Sequence, residues 1–197
     1  MQPVNAFARA DVGLFYAVNH LAGQSAALDH IMIACATWSP AVFAVILALL
    51  WLRWRRSLQQ GALLAAAAAF VALGVGQLLG LAFPRARPFQ TMPVTLLVPH
   101  APNTSFPSDH ATMVFAVATA LWLTDRRLGA SLFLIAAVVA VSRVYIGAHY
   151  PSDVLGGALL GAAAALLLNA LARRNPARRW LARLFDVLTR FHLAARA

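Results

Sequence analysis

The segment Ser142-Arg143-Val144-Tyr145-Ile146-Gly147-Ala148-His149-Tyr150-Pro151-Ser152-Asp153 sets three chemically active side chains between two apolar runs. Its position between those runs places it at a membrane surface. His149 and Asp153 are four residues apart. Pro151 suits the first turn of a helix, where its missing N–H would have no partner anyway. A helix starting there puts His149 at its mouth and Asp153 one turn in, on the same side. A carboxylate beside an imidazole fixes the tautomer and stabilises the protonated ring. Arg143 adds a planar, permanently charged fork that matches phosphate oxygens.

The surrounding chain is lipid-soluble in character. Of its 197 residues, 61% are apolar and 11% charged, against about 25% charged in a soluble domain. That composition reads as a single-domain (1–197), all-α integral membrane protein. All 16 basic residues are Arg and all 6 acidic ones Asp, for a net charge of +10. The excess fits anionic lipid or an anionic substrate. Nucleic acid is excluded as a partner, because the arginines flank apolar spans rather than cover a soluble face. The single cysteine, Cys35, rules out an intrachain disulfide and a Cys-rich metal site. With no Glu anywhere, no metal site and no cofactor are expected.

Apolar runs set the spans, and residues 31–52 reach the roughly 20 residues that a crossing needs. Residues 31–52 and 61–83 form the first two, with Pro40 a kink point. Residues 111–124, 128–141 and 154–172 form the other three. Residues 1–28 lack the basic start and unbroken apolar centre of a cleavable signal. Within them, Val4, Phe7, Leu14, Phe15, Val18 and Leu21 recur near a 3.6 period, interrupted by Arg9, Asp11, Asn19 and His20. An interfacial amphipathic helix is expected there, with a tilted span as the alternative. The tail, 173–197, reads as a basic amphipathic helix on the cytoplasmic leaflet. Six of the ten prolines fall in residues 84–107, which marks an irregular connection. Arg53, Arg55, Arg56, Arg126, Arg127 and the tail arginines define the cytoplasmic side. Residues 84–110 and 142–153 then share the opposite face.

The first of these external segments opens with Arg85-Ala86-Arg87-Pro88-Phe89 and closes with Ser105-Phe106-Pro107-Ser108-Asp109-His110. Pro107, Ser108 and Asp109 suit the start of the next span's helix, where free N–H groups and the helix dipole favour an anion. Ser108 offers a hydroxyl and His110 a proton-transfer group. Alone, either histidine is as readily an interfacial residue without chemistry. Two Arg, a Ser and an Asp at these spacings argue against that. His30, His100 and His192 read as structural or solvated, and Asp29 as a span boundary. Gly156, Gly157 and Gly161 sit inside a span, so they suit close helix packing rather than a phosphate loop.

Arg87-Pro88, Pro107-Ser108-Asp109-His110 and Ser142-Arg143 with His149 and Asp153 together resemble the three-part signature of the type 2 phosphatidic acid phosphatase superfamily. These are metal-independent membrane phosphatases akin to vanadium haloperoxidases. The resemblance implies a six-helix bundle, here five spans plus the N-terminal helix. It implies that His149 attacks phosphorus, that Asp153 orients it, and that His110 protonates the leaving oxygen and then activates water. Arg87, Ser108, Arg143 and the Asp109 N–H would hold the phosphoryl oxygens. Two departures stand out. The family's Lys, seven residues before the Arg, is Gly80 here, and Arg85 is expected to supply that charge. The family's Gly is Asp109, whose carboxylate must be protonated, paired or turned away. Both features resemble the undecaprenyl-diphosphate phosphatase branch, which recycles the bacterial lipid carrier for cell-wall (peptidoglycan) synthesis. The implied substrate is a polyprenyl diphosphate, cleaved at the outer face of the bacterial cytoplasmic membrane. A phosphatase for phosphatidic acid, phosphatidylglycerol phosphate or a phosphorylated glycolipid, and a non-catalytic phospholipid-binding or transport protein, are the alternatives.

Overall fold

A computed structural model describes residues 6–53 and 55–174. These form α1 (Ala6–Asn19), α2 (Ala26–Trp51), α3 (Arg56–Ala82), the one-turn α4 (Pro88–Thr91), α5 (Asp109–Trp122), α6 (Arg126–Tyr145) and α7 (Pro151–Ala172), with no strand among the described residues. Local signals set the boundaries. The Ser25 hydroxyl accepts from Leu28 N–H at the start of α2, and the Asp125 carboxylate accepts from Arg127 and Leu128 N–H at the start of α6. Pro151 opens α7, where Asp153 accepts from the Tyr150 N–H in half of a capping box.

Helices α2, α3, α6 and α7 are long and apolar enough to cross a membrane. The expected span at 111–124 is α5, whose 14 residues reach about 21 Å, short of a ~30 Å hydrocarbon core. It sits at the centre of the bundle, packed by α3, α6 and α7. Val114, Val117 and Leu121 are buried there. Walled by protein rather than lipid, it has no bilayer thickness to match. Small residues let α7 close on it. A Cβ at Gly157 would lie 2.6 Å from the Ser108 carbonyl oxygen, and one at Gly161 would lie 2.2 Å from that of Thr112, so backbone meets backbone.

Chain direction separates two ends. The carboxyl ends of α3 and α6 and the amino ends of α5 and α7 meet at one end. Arg53, Arg55, Arg56, Arg126, Arg127, Arg173 and Arg174 lie at the other helix ends. The tail expected beyond Arg174 lies outside the described residues. Helix α1 is too short to cross. Its buried face is Asp11, Phe15 and Asn19, while Phe7 and Leu14 point outward. Two of the polar residues that interrupt its apolar pattern, Asp11 and Asn19, are therefore docking contacts, while Arg9 and His20 are exposed. Asn19 Nδ2 donates to the carbonyls of Thr95 (2.9 Å) and Tyr145 (2.8 Å).

Candidate active site

The turn after α6 builds the centre. Helix α6 runs four residues past the expected end at 141, so Ser142 and Arg143 lie in its last turn. Gly147, at φ +83°, closes that helix in the left-handed region. Ala148 and His149 N–H then both donate to the Arg143 carbonyl, at 3.1 and 3.3 Å. One short turn thus locks the two residues together.

Arg143 stays helical because its head finds partners inside the protein. Its Nη1 donates to the Ala36 carbonyl, 3.1 Å away on α2. That oxygen lacks a helical donor because residue 40, four positions on, is Pro40. Nη2 donates to His100 Nε2 at 2.7 Å. A guanidinium only donates, so His100 is the acceptor there and its Nδ1–H donates to the Val98 carbonyl at 3.0 Å. Burial holds the His100 pKa below its usual value, consistent with the neutral ring.

The same logic fixes the tautomer of His149, which is 2% exposed. Arg87 Nη1 lies 2.9 Å from its Nε2, so Nε2 carries the lone pair. Nδ1–H donates to the Ser105 carbonyl at 2.8 Å. Asp153 Oδ2 is 3.9 Å from Nδ1, so it acts on the ring by charge and through Ser105, whose hydroxyl donates to that oxygen. Burial first, then the charges of Arg87 and Arg143, lowers the His149 pKa to about 4; Asp153 pulls the other way. The ring is neutral at physiological pH, with its unprotonated nitrogen against the Arg87 guanidinium.

Arg87 donates from Nε to Asn103 Oδ1 (2.9 Å) and from Nη1 to the Ala148 carbonyl (3.0 Å). Burial lowers its pKa, against the pull of Asp109 and Asp153. Arg87 and Arg143 are close enough to repel each other, which asks for an anion between them. Two buried atoms lack any partner here: Arg143 Nε and the Ser108 hydroxyl. Ser108 is the N-cap of α5 yet makes no side-chain cap bond, so its oxygen and the first-turn N–H groups remain available. His110, on that turn, senses the charges of Arg143, His149, His100 and Arg87. Asp109 lies beside it and accepts from Gln77 Nε2 at 3.0 and 3.2 Å, which holds the carboxylate to α3.

Arg85 is engaged elsewhere. The sequence suggests a phosphate contact in place of the missing Lys, but Arg85 Nη2 meets Asp11 at 2.7 Å and Nη1 meets Asp153 at 2.6 Å. Burial opposes its charge, and these two carboxylates outweigh it to raise the pKa. Nor would the site take the Lys back: a Cβ at Gly80 would lie 2.8 Å from Thr104 Cγ2 and 3.1 Å from the Phe106 carbonyl oxygen. Sequence reasoning passed over Ser105, His100, Asn103, Gln77 and Asp11. Ser105 and His100 at least share the external segment with the motifs. Among the described residues, no group of three or more His, Cys, Asp or Glu is gathered for a metal ion.

Cationic side chains and unpartnered donors gathered at the helix ends that carry a neutral imidazole have the chemistry to hold a tetrahedral anion. The PAP2 superfamily model matches residues 61–177. Undecaprenyl-diphosphatase BcrC of Bacillus subtilis (strain 168) is 33% identical over 143 residues, 73% of this chain and 74% of its own. Decaprenylphosphoryl-5-phosphoribose phosphatase of Mycobacterium tuberculosis is 33% identical over 145 residues, 73% of this chain and 76% of its own. The crystal structure of Aquifex aeolicus LpxE superposes with a TM-score of 0.66 at 26% identity, covering 81% of this chain and 94% of that one. The chain is thus a multi-pass membrane protein that belongs to the PAP2 superfamily of lipid phosphatases.

Proposed function

We propose that the protein hydrolyses undecaprenyl diphosphate to undecaprenyl phosphate and phosphate at the outer face of the bacterial cytoplasmic membrane, recycling the lipid carrier. The observation that carries this reading is a lone pair on His149 Nε2 at the same end of the bundle as two buried, unpartnered donors, Arg143 Nε and the Ser108 hydroxyl. The relative named undecaprenyl-diphosphatase supports the diphosphate. The arginine clusters at the helix ends away from the site support the outer face. The polyprenyl chain would stay in lipid while its head group enters the pocket.

On substrate entry the terminal phosphoryl group displaces Arg87 from His149 and takes donors from Arg87, Arg143 and Ser108, with the Asp109 N–H. His149 Nε2 forms a bond to phosphorus as the P–O bond to the lipid phosphate breaks. His110, whose pKa is lowered by burial and by the surrounding cations, takes up a proton as the phosphoryl charge enters and gives it to that oxygen. His110 then takes a proton from water, whose oxygen attacks phosphorus and releases His149. Fixed donors around the transferring group supply most of the stabilisation. Asp153 balances the positive charge that the ring acquires.

Purified protein in detergent should release phosphate from C55 diphosphate faster than from phosphatidic acid, phosphatidylglycerol phosphate or a polyprenylphosphoryl sugar phosphate. His149→Ala should abolish release, since that ring carries the attacking nitrogen. Release should persist in excess EDTA. Preference for another lipid would reassign the substrate. Undiminished cellular function in His149→Ala would favour a non-catalytic role.

A further inference from the structure

We propose that Asp11, on the amino-terminal helix α1, is a positioning residue for phosphoryl transfer, acting through Arg85 on Asp153. This rests on the reading of His149 as the nucleophile. Four groups from three parts of the chain are wired together. Asp11 Oδ2 accepts from Arg85 Nη2 at 2.7 Å and from the Ser152 hydroxyl, while Oδ1 accepts from the Ser152 N–H at 2.9 Å. Arg85 Nη1 donates to the Ser152 hydroxyl and to Asp153 Oδ1, both at 2.6 Å. The guanidinium carbon of Arg85 lies 4.0 Å from the centre of the Tyr150 ring, which holds the fork flat against the residue next to His149. Asp11 is 4% exposed. A carboxylate so deeply buried on a short surface helix is costly unless it is paired.

The charge balance gives Asp11 its role. Arg85 lies between two carboxylates, so the cluster carries one net negative charge behind His149. With Asp11 present, Arg85 is shared, and Asp153 keeps most of its influence on the ring. Without the Asp11 charge, Arg85 turns wholly to Asp153 and neutralises it just where the ring becomes cationic. Asp11 also fixes Ser152 at the first turn of α7. The Asp153 carbonyl in that turn accepts from the Ser108 N–H at 3.0 Å, so the same contact steadies the anion pocket. Asp11 itself does not reach the phosphoryl site, so its effect belongs to the chemical step rather than to binding.

The test measures kcat and KM of purified wild type, Asp11→Asn, Arg85→Gln and the double variant on the best lipid phosphate substrate. Asn keeps an oxygen for the Ser152 N–H but turns an NH2 toward Arg85 and Ser152, so it removes the charge and the Arg85 bond together; a merely architectural Asp11 would then show a lower thermal midpoint with kcat unchanged. The expected result is a fall in kcat of roughly tenfold or more for Asp11→Asn, with KM within about twofold. The double variant should lose less than the product of the single losses, because removing Arg85 relieves the neutralisation of Asp153. Wild-type kcat in Asp11→Asn, multiplicative losses in the double variant, or a rise in KM alone for Arg85→Gln would overturn the proposal. The last would make Arg85 a phosphate ligand after all. If Asp11→Asn does not fold, Arg85→Lys substitutes, since a single-point cation cannot bridge both carboxylates; it must lower kcat with KM unchanged, and wild-type kcat overturns the proposal. A wild type that turns over no lipid phosphate would sink the enzyme reading and this proposal with it, whereas an active wild type with an unaffected Asp11→Asn sinks this proposal alone.

Discussion

Asp153→Asn isolates the electrostatic part of the mechanism. Asn retains an oxygen for the Ser105 hydroxyl and the Tyr150 N–H, so the turn that carries His149 keeps those two contacts and loses the bond from Arg85. What disappears is a negative charge 3.9 Å from His149 Nδ1. At an effective dielectric near 20, two unit charges at that separation attract by about 4 kcal/mol. At about 1.4 kcal/mol per decade this corresponds to roughly a thousandfold in rate. Arg85, 2.6 Å from the other carboxylate oxygen, offsets part of it, so a loss of kcat between about a hundredfold and a thousandfold is expected. The assay is phosphate release by purified protein in detergent, with kcat and KM determined separately. Because the carboxylate does not touch substrate, KM should change little. A loss under about tenfold, or one confined to KM, would refute the claim that Asp153 acts by balancing charge on the imidazole.

Pro40→Ala should restore a helical N–H that competes with Arg143 for the Ala36 carbonyl; KM should rise severalfold while the thermal midpoint holds or rises, as an interior proline costs a helix about 3 kcal/mol. A lower midpoint with unchanged KM would contradict this. Ser108→Ala removes a buried hydroxyl that has no partner, so stability should be unchanged or better while kcat/KM falls about tenfold or more, read by thermal unfolding and kinetics together. Gly80→Lys should not improve activity and should destabilise the fold by about 1–3 kcal/mol through the crowded Thr104 and Phe106; a gain in kcat/KM would count against it. His149 binds a proton only near pH 4 when folded, against 6.5 for an ordinary His. Between those values the unfolded chain holds the extra proton, so this residue's contribution is complete above 6.5 and is lost as pH falls toward 4. Thermal midpoints of wild type should therefore fall more steeply over that window than those of His149→Gln, and parallel curves would contradict the shift.

The hydropathy of the chain and the three spaced motifs made the helical membrane fold and most of the pocket legible. His149, Asp153 and Ser108 sit at helix starts that the prolines and apolar runs had marked, whereas Arg87 caps a one-turn helix inside the segment read as irregular and Arg143 lies in a last turn beyond the expected end of its span. Three features were not legible, each for a physical reason. The place of α5 at the centre of the bundle, walled by α3, α6 and α7, follows from contacts between distant helices, which hydropathy along the chain does not report. The destination of Arg85 depends on Asp11, 74 residues away, and no local period links the two. The buried face of α1 runs through Asp11, Phe15 and Asn19, and polar residues that break an apolar stripe are easily taken as its flaws when they are its contacts. His100 belongs with these: its role follows from a neutral ring facing Arg143, a property of packing and not of spacing.

The central claim is that His149 Nε2 takes the phosphoryl group. It is tested most directly by mixing the His110→Ala variant with lipid substrate labelled at its terminal phosphate, quenching in alkali, and mapping the label by mass spectrometry. A lipid phosphate is a weakly basic leaving group that can depart without the His110 proton, whereas water needs its base, so the intermediate should accumulate, with phosphate on the peptide containing His149 and none in a His110→Ala/His149→Ala double variant. Label on another residue, or substrate turnover that survives the loss of His149, would contradict the account.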